Sequence, residues 1–157
     1  MRSVRSGSPC RVVASSAGDL AAAFGYDNSM ERSIGFPAII LLVDDDDGLR
    51  GFVRRVLRPH GFNIKEASDG VEALKVAAYA ERIDLLLTDV IMPNMTGVVL
   101  AERLLLERPG VPVLYMSGYV EKSMVLAKHP EFIFLQKPFT PDGLIVAVRQ
   151  LLASKEE

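Results

Sequence analysis

The feature that most constrains the fold of this chain is a regular alternation, after residue 37, of short apolar runs with longer segments of helical periodicity. Short continuous apolar runs are typical of strands covered on both faces of a sheet. The predicted strands cover residues 38–43, 62–67, 85–88, 111–116 and 132–135. The predicted helices cover residues 49–57, 71–80, 97–107, 121–128 and 141–152, with Asp47 and Thr140 as candidate N-caps. This alternation predicts an α/β fold, a doubly wound five-stranded parallel sheet with helices on both faces.

The chain divides near residue 37 into two regions of different composition. Residues 1–36 are rich in Ser, Gly and Ala and show no sustained period, so we expect a flexible N-terminal tail or linker. Residues 37–157 are expected to form one domain. Met30 is a candidate biological start, and a chain that begins there is expected to fold normally.

The bulk composition excludes several classes of protein. The formal net charge is -2, so no overall basic field attracts nucleic acid. The single cysteine, Cys10, excludes an intramolecular disulfide and a cysteine-built zinc site. The longest apolar run, residues 37–43, is far shorter than the roughly 20 residues of a membrane span. We therefore expect a cytoplasmic protein with no membrane partner and no direct nucleic-acid partner.

Polar side chains that suit phosphate chemistry follow four of the five predicted strands. In chain order they are Asp44 and Asp45, then Asp89, then Ser117, and then Lys137. The carboxyl ends of parallel strands meet at one edge of the sheet, where ligands bind in such folds. Clustered carboxylates favour a hard cation such as Mg²⁺. A carboxylate beside the cation can attack phosphorus, while a lysine and a hydroxyl stabilise the transferred group.

Four segments, in this order, resemble the receiver domain of two-component response regulators. They are residues 40–46, 86–93, 116–118 and 136–139, within a similarity that extends from residue 39 to residue 152. Each segment alone is a weak signal, but four at these spacings are specific. Residues 114–119 and 134–139 are most similar to receivers of hybrid sensor histidine kinases. The resemblance implies a flavodoxin-like strand order, 2-1-3-4-5.

The resemblance also implies roles for the residues at the strand ends. Asp89 corresponds to the phosphorylated aspartate, which accepts its phosphoryl group from a histidine kinase or a histidine phosphotransfer protein. Asp44 and Asp45 correspond to the acidic pair that holds Mg²⁺ together with Asp89, and the backbone carbonyl of Ile91 corresponds to a further ligand. Lys137 corresponds to the lysine that pairs with the phosphoryl group.

Signal output is implied by the same resemblance. Ser117 corresponds to the switch hydroxyl, and Phe134 to an aromatic position, often tyrosine in the family, whose rotamer reports the switch. The downstream effector is expected on the surface formed by the fourth helix, fifth strand and fifth helix. The bulky Ile91 and Tyr119 are expected to flank the path of an attacking water. We therefore predict a phosphoacceptor rather than an enzyme, with Mg²⁺-dependent self-phosphorylation from small donors and slow self-dephosphorylation.

Two alternatives belong to other functional classes. Residues 43–48 also resemble the haloacid dehalogenase phosphatase signature, in which Asp44 would be the nucleophile. However, Gly48 stands where that signature has Thr or Val, and residues 89–93 are then left unexplained. A phosphorylation-independent interaction module would require a degraded site, whereas here every expected side chain is present. The position of the acyl-phosphate discriminates between the receiver domain and the phosphatase, because it is expected on Asp89 in the first and on Asp44 in the second.

Overall fold

A computed structural model describes residues 13–14 and 37–154 of the chain. The strands are β1 (Val13–Ala14), β2 (Ile39–Val43), β3 (Asn63–Ala67), β4 (Leu85–Asp89), β5 (Val113–Ser117) and β6 (Ile133–Gln136). The helices are α1 (Asp47–Leu57), α2 (Gly70–Tyr79), α3 (Gly97–Glu107), α4 (Tyr119–Lys128) and α5 (Pro141–Ser154), with a 3-10 turn at Arg58–His60 after α1. Each predicted helix and strand is present, with ends that differ from the prediction by one or two residues at most positions.

The sheet is parallel throughout, with the spatial order β1-β6-β5-β4-β2-β3. Counted from Ile39, the five longer strands have the order 2-1-3-4-5, so the predicted fold class is confirmed. The short strand β1 was not predicted. It extends the sheet beside β6, with Val13 opposite Phe134 and Ala14 opposite Leu135. The rest of the expected tail, residues 1–12 and 15–36, lies outside the described residues, and the prediction that residues 1–36 are flexible stays a prediction.

Two hydrophobic cores lie on the two faces of the sheet, and β2 contributes to both. Ile40 and Leu42 pack with residues of α1 and α5, whereas Leu41 and Val43 pack with residues of α2 and α3. All four side chains are fully buried. This burial on both faces is the physical reason why the sequence of β2 is apolar without interruption.

The N-caps of α1 and α5 fix where these two helices begin. Thr140 caps α5 as predicted, because its Oγ1 accepts a hydrogen bond from the Gly143 amide at 3.0 Å. The prediction of Asp47 as the cap of α1 is wrong. Asp46 has extended backbone, and its carboxylate accepts from the amides of Gly48 and Leu49, at 2.8 and 3.1 Å. Asp47 is already helical, so its side chain cannot reach back to these amides.

The helices are of ordinary length for a globular domain. The longest in the described part of the chain is α5, with 14 residues. Among the described residues, no helix is long and apolar enough to cross a membrane.

Candidate functional site

Three of the predicted carboxylates form a cluster at the carboxyl ends of β2 and β4. Asp44, Asp45 and Asp89 each offer a carboxylate oxygen, and these three atoms lie within 4.8 Å of one another. Asp44 is fully buried, Asp45 is exposed, and the side chain of Asp89 is 13% exposed. Hard oxygen donors this close together, open to solvent on one side, fit a divalent cation that retains several waters.

Lys137, which follows β6, lies between two of these carboxylates. Its Nζ is 3.2 Å from Asp44 Oδ2 and 3.3 Å from Asp89 Oδ2. Burial lowers the pKa of Lys137, but the charges of Asp89 and Asp44 outweigh that effect and raise the pKa above its ordinary value. The lysine is therefore a fixed positive charge at neutral pH.

The carboxyl group of Asp89 is held by both of its oxygens. Oδ1 accepts a hydrogen bond from the Val90 amide at 2.8 Å, and Oδ2 faces Lys137. Burial raises the pKa of Asp89, the Lys137 ammonium opposes that rise, and the charge of Asp44 adds to it. The side chain is thus oriented, partly desolvated and paired with a cation.

Arg50 is a residue of the site that the sequence did not single out. Its Nη1 donates to the carbonyl oxygen of Asp44 at 2.5 Å, and its guanidinium also pairs with Asp47 and, more weakly, with Glu66. The Asp44 carboxylate in turn accepts from the Asp46 amide at 2.8 Å. Arg50 therefore ties the first turn of α1 to the end of β2. Nothing in the sequence distinguishes it from the other arginines of α1.

Gly97, the first residue of α3, is a second residue that the sequence did not single out. A Cβ added there would lie 2.0 Å from the carbonyl oxygen of Asp89, far closer than atoms can approach. The Gly97 amide also donates to the carbonyl of Val90 at 2.8 Å. Only glycine allows α3 to begin against the backbone of the predicted phosphoacceptor. The one sequence signal is a glycine directly after the Thr96 cap.

The two predicted switch residues are both buried. The hydroxyl of Ser117 donates to the carbonyl of Gly118 at 3.0 Å, and the carbonyl of Ser117 accepts from the Lys137 amide at 2.8 Å. Phe134 is 2% exposed, and its ring centroid lies 5.4 Å from that of Tyr115. The ring therefore faces the interior of the domain in this structure. The switch roles of Ser117 and Phe134 stay predictions.

A cleft of about 370 Å³ opens over this cluster. Its lining consists of Asp44, Asp45, Asp46, Asp89, Ile91, Gly118, Glu121 and Lys137. Ile91 was expected to flank the path to the phosphoacceptor, and it does line the cleft, with 57% of its surface exposed. Tyr119 was expected beside it, but within the described part of the chain Glu121 is the side chain of α4 that lines the cleft.

A family model matches most of the chain. The model for the response regulator receiver domain covers residues 40–149. Sensor kinase CckA of Brucella abortus (strain 2308) is 34% identical over 122 residues, which are 76% of this chain and 13% of that protein. The probable transcriptional regulatory protein TcrX of Mycobacterium tuberculosis is 34% identical over 125 residues, which are 78% of this chain and 53% of that protein. The chain thus spans between about an eighth and a half of these two relatives.

Solved structures of similar fold also match most of the chain. The receiver domain of the hybrid histidine kinase CckA has 37% sequence identity and a TM-score of 0.63, over 73% of this chain and 99% of that one. The chemotaxis protein CheY4 of Vibrio cholerae has 30% identity and a TM-score of 0.66, over 73% of this chain and 98% of that one.

Proposed function

The chain belongs to the family of response regulator receiver domains, the phosphoacceptor modules of two-component signalling, and we propose that it accepts its phosphoryl group on Asp89. The observation that carries the proposal is the environment of Asp89. This carboxylate is oriented by the Val90 amide, paired with Lys137 at 3.3 Å, and open to a cleft that can admit a donor. Asp44 lies deeper, fully buried beneath the same lysine.

The proposed chemistry is a direct transfer. An oxygen of the Asp89 carboxylate forms a bond to phosphorus while the bond from phosphorus to the donor's leaving group breaks, and the electron pair leaves with that group. Lys137 supplies a positive charge beside the transferred phosphoryl oxygens. Positioning and charge stabilisation account for most catalysis of this kind. The donor we propose is the phosphohistidine of a histidine kinase or of a phosphotransfer protein, with small acyl phosphates as substitutes.

Mg²⁺ is the cofactor that we propose for this transfer. Asp44, Asp45 and Asp89 would hold it, with the backbone carbonyl of Ile91 as a further ligand. When bound, the cation neutralises part of the negative charge on the carboxylates and on the phosphoryl oxygens. We expect weak binding that requires both members of the acidic pair. Asp45→Ala should abolish measurable Mg²⁺ binding while the protein remains folded, whereas an unchanged affinity would exclude Asp45 as a ligand.

The output we propose uses the Ser117 hydroxyl. In the phosphorylated protein this hydroxyl would turn from the Gly118 carbonyl, its present acceptor, toward a phosphoryl oxygen. Because Ser117 directly precedes the loop into α4, the turn would shift the surface formed by α4, β6 and α5. Receiver domains contact histidine kinases and downstream effectors, and we propose that this surface is where an effector distinguishes the two states.

The decisive experiment locates the acyl-phosphate. The protein is incubated with acetyl phosphate and Mg²⁺, and the product is examined by intact mass and by peptide mapping after borohydride trapping. One alkali-labile phosphoryl group is expected on Asp89, and Asp89→Asn should abolish it. Asp142→Asn is the matched control, because Asp142 is exposed in the first turn of α5, outside the cleft. Undiminished incorporation in Asp89→Asn, or a trapped product on Asp44, would overturn the assignment.

A further inference from the structure

We propose that Glu121 makes this domain discriminate among phosphodonors by their charge, disfavouring small donors that carry two negative charges. The inference rests on the proposed phosphorylation of Asp89. It concerns a side chain that plays no part in the chemistry proposed above, and it starts from the position of that side chain in the cleft.

Glu121 reaches the cleft from the first turn of α4. It is the third residue of that helix and is partly buried. A Cβ placed on Gly118 would lie 2.8 Å from its Oε2, so the carboxylate folds back over the loop that joins β5 to α4. Ser117, which carries the proposed switch hydroxyl, is the last residue of β5 and directly precedes this loop. The charge of Glu121 therefore lies at the wall of the cleft next to the switch.

Three of the other four carboxylates of the cleft are engaged in contacts within the protein. Asp44 and Asp89 share Lys137, and Asp46 caps α1. Asp45 completes the cluster that fits a cation. Glu121 takes part in none of the ion pairs found among the described residues.

The lining as a whole is strongly negative. It carries five carboxylates and one ammonium group. A divalent cation and Lys137 offset the charge of the three-carboxylate cluster but leave the charges of Asp46 and Glu121. A donor phosphoryl group that enters a cleft of about 370 Å³ comes within the Debye length, about 10 Å at 0.1 M salt, of this residual charge. The repulsion grows with the charge of the donor.

A glutamate at this position also has an ordinary structural role, helix capping, and the test must separate this role from the proposed one. An acid or amide at the third helical position can accept from the amide of the N-cap residue, here Gly118, which has no side chain of its own to cap α4. Glutamine retains that capacity and removes the charge. Glu121→Gln is therefore the informative variant, since capping alone predicts no dependence on donor charge or on salt.

The experiment compares two donors at two salt concentrations. Initial rates of Asp89 phosphorylation are measured by intact mass at pH 7 and saturating Mg²⁺. Acetyl phosphate is the doubly charged donor, and phosphoramidate is the donor with one net negative charge. For Glu121→Gln we expect a rate about threefold above wild type with acetyl phosphate at low salt, and a smaller increase with phosphoramidate. Both increases should disappear near 1 M salt, where the Debye length is about 3 Å.

Glu102→Gln is the matched control, because Glu102 is an exposed residue of α3 outside the lining, and its substitution changes the net charge equally. It should leave all rates at the wild-type value. Three outcomes would overturn the proposed role of Glu121 and leave the proposed function intact. They are equal rates for wild type and Glu121→Gln, a slower rate for Glu121→Gln, or the same increase with both donors and at both salt concentrations. A wild-type protein that gains no phosphoryl group on Asp89 would instead overturn the proposed function, and this inference with it.

Discussion

Helix α3 begins against the backbone of Asp89 and helix α4 contributes Glu121 to the cleft, yet the two helices are held in the domain very differently. α3 buries Gly97, Leu100, Ala101 and Leu104, and its first residue lies against the backbone of Asp89. None of the ten residues of α4, all in the described part of the chain, is fully buried. Three of its apolar side chains, Tyr119, Val120 and Met124, are largely exposed.

The difference separates the two tasks of a phosphorylation switch. The phosphoacceptor requires a rigid frame, because transfer depends on fixed positions. The element that signals the state requires two positions of similar free energy, and a helix with few buried contacts can be displaced at a low cost in free energy. In this molecule, α3 belongs to the frame, and α4 is the element best suited to move.

The largest effect is expected when a side chain is truncated in each of the two helices. Leu100 of α3 is fully buried, whereas Met124 of α4 is 67% exposed. Leu100→Ala should lower the free energy of unfolding by about 3 kcal/mol, because it removes buried contacts and leaves a cavity. Met124→Ala should change it by less than about 0.5 kcal/mol. Urea denaturation measures both, and similar losses would contradict the division into frame and mobile helix.

A second test concerns the start of α3. Gly97→Ala places a methyl group against the Asp89 carbonyl, so the helix must move away. We expect the free energy of unfolding to fall by about 2–3 kcal/mol. Phosphorylation by acetyl phosphate should slow as Asp89 shifts. Gly51→Ala in α1 is the control, because its added Cβ would find its nearest neighbours at 3.6 and 3.7 Å, ordinary contact distances. If Gly97→Ala is as stable and active as Gly51→Ala, α3 does not constrain the phosphoacceptor.

A third test concerns the lifetime of the phosphoryl group. From the sequence we expect that Ile91→Asn combined with Tyr119→Glu shortens this lifetime about tenfold, because polar groups can orient the attacking water. A tenfold change corresponds to about 1.4 kcal/mol in the activation free energy of dephosphorylation. In the structure Ile91 lines the cleft, whereas Tyr119 is 67% exposed on α4. Ile91→Asn alone should therefore produce most of the change, measured as decay after the donor is removed.

Each single variant serves as the control for the other in this measurement. Tyr119→Glu alone should leave the lifetime close to that of the wild type, which we expect to be many minutes. Two outcomes would remove the steric argument: decay of the wild type within seconds, or an effect that comes from Tyr119 rather than from Ile91.

The smallest expected effect concerns the N-terminal segment. A chain that begins at Met30 lacks β1, which pairs with β6 through Val13 and Ala14. A pairing of two residues contributes few hydrogen bonds, so the truncated chain should lose no more than about 1 kcal/mol of stability and should be phosphorylated at the wild-type rate. Thermal unfolding measures the difference. A much larger loss would show that residues 1–29 belong to the frame.

Most of the fold was predictable from the sequence because its signals are local. A strand buried on both faces must be apolar along its whole length, as Leu41 and Leu42 illustrate, since they pack into opposite cores. The parallel crossovers then bring the residues after β2, β4, β5 and β6 to one edge. For that reason Asp44, Asp45, Asp89 and Lys137 lie together, whereas Ser117 and Phe134 are not among the residues that line the cleft. The short strand β1 was not predictable, because two residues carry no periodicity.

The sequence by itself determined the architecture and the membership of the acidic cluster, since both follow from burial pattern and strand order. Only the tertiary structure decided the details that depend on distance between separate segments. Gly97 is required because α3 happens to begin against Asp89, and Arg50 matters because α1 directs it at the end of β2. The rotation of α4 about its axis turned Glu121, rather than Tyr119, toward the cleft. Such rotations are set by packing against the rest of the domain, and a helix with few buried residues has little in its own sequence to determine them.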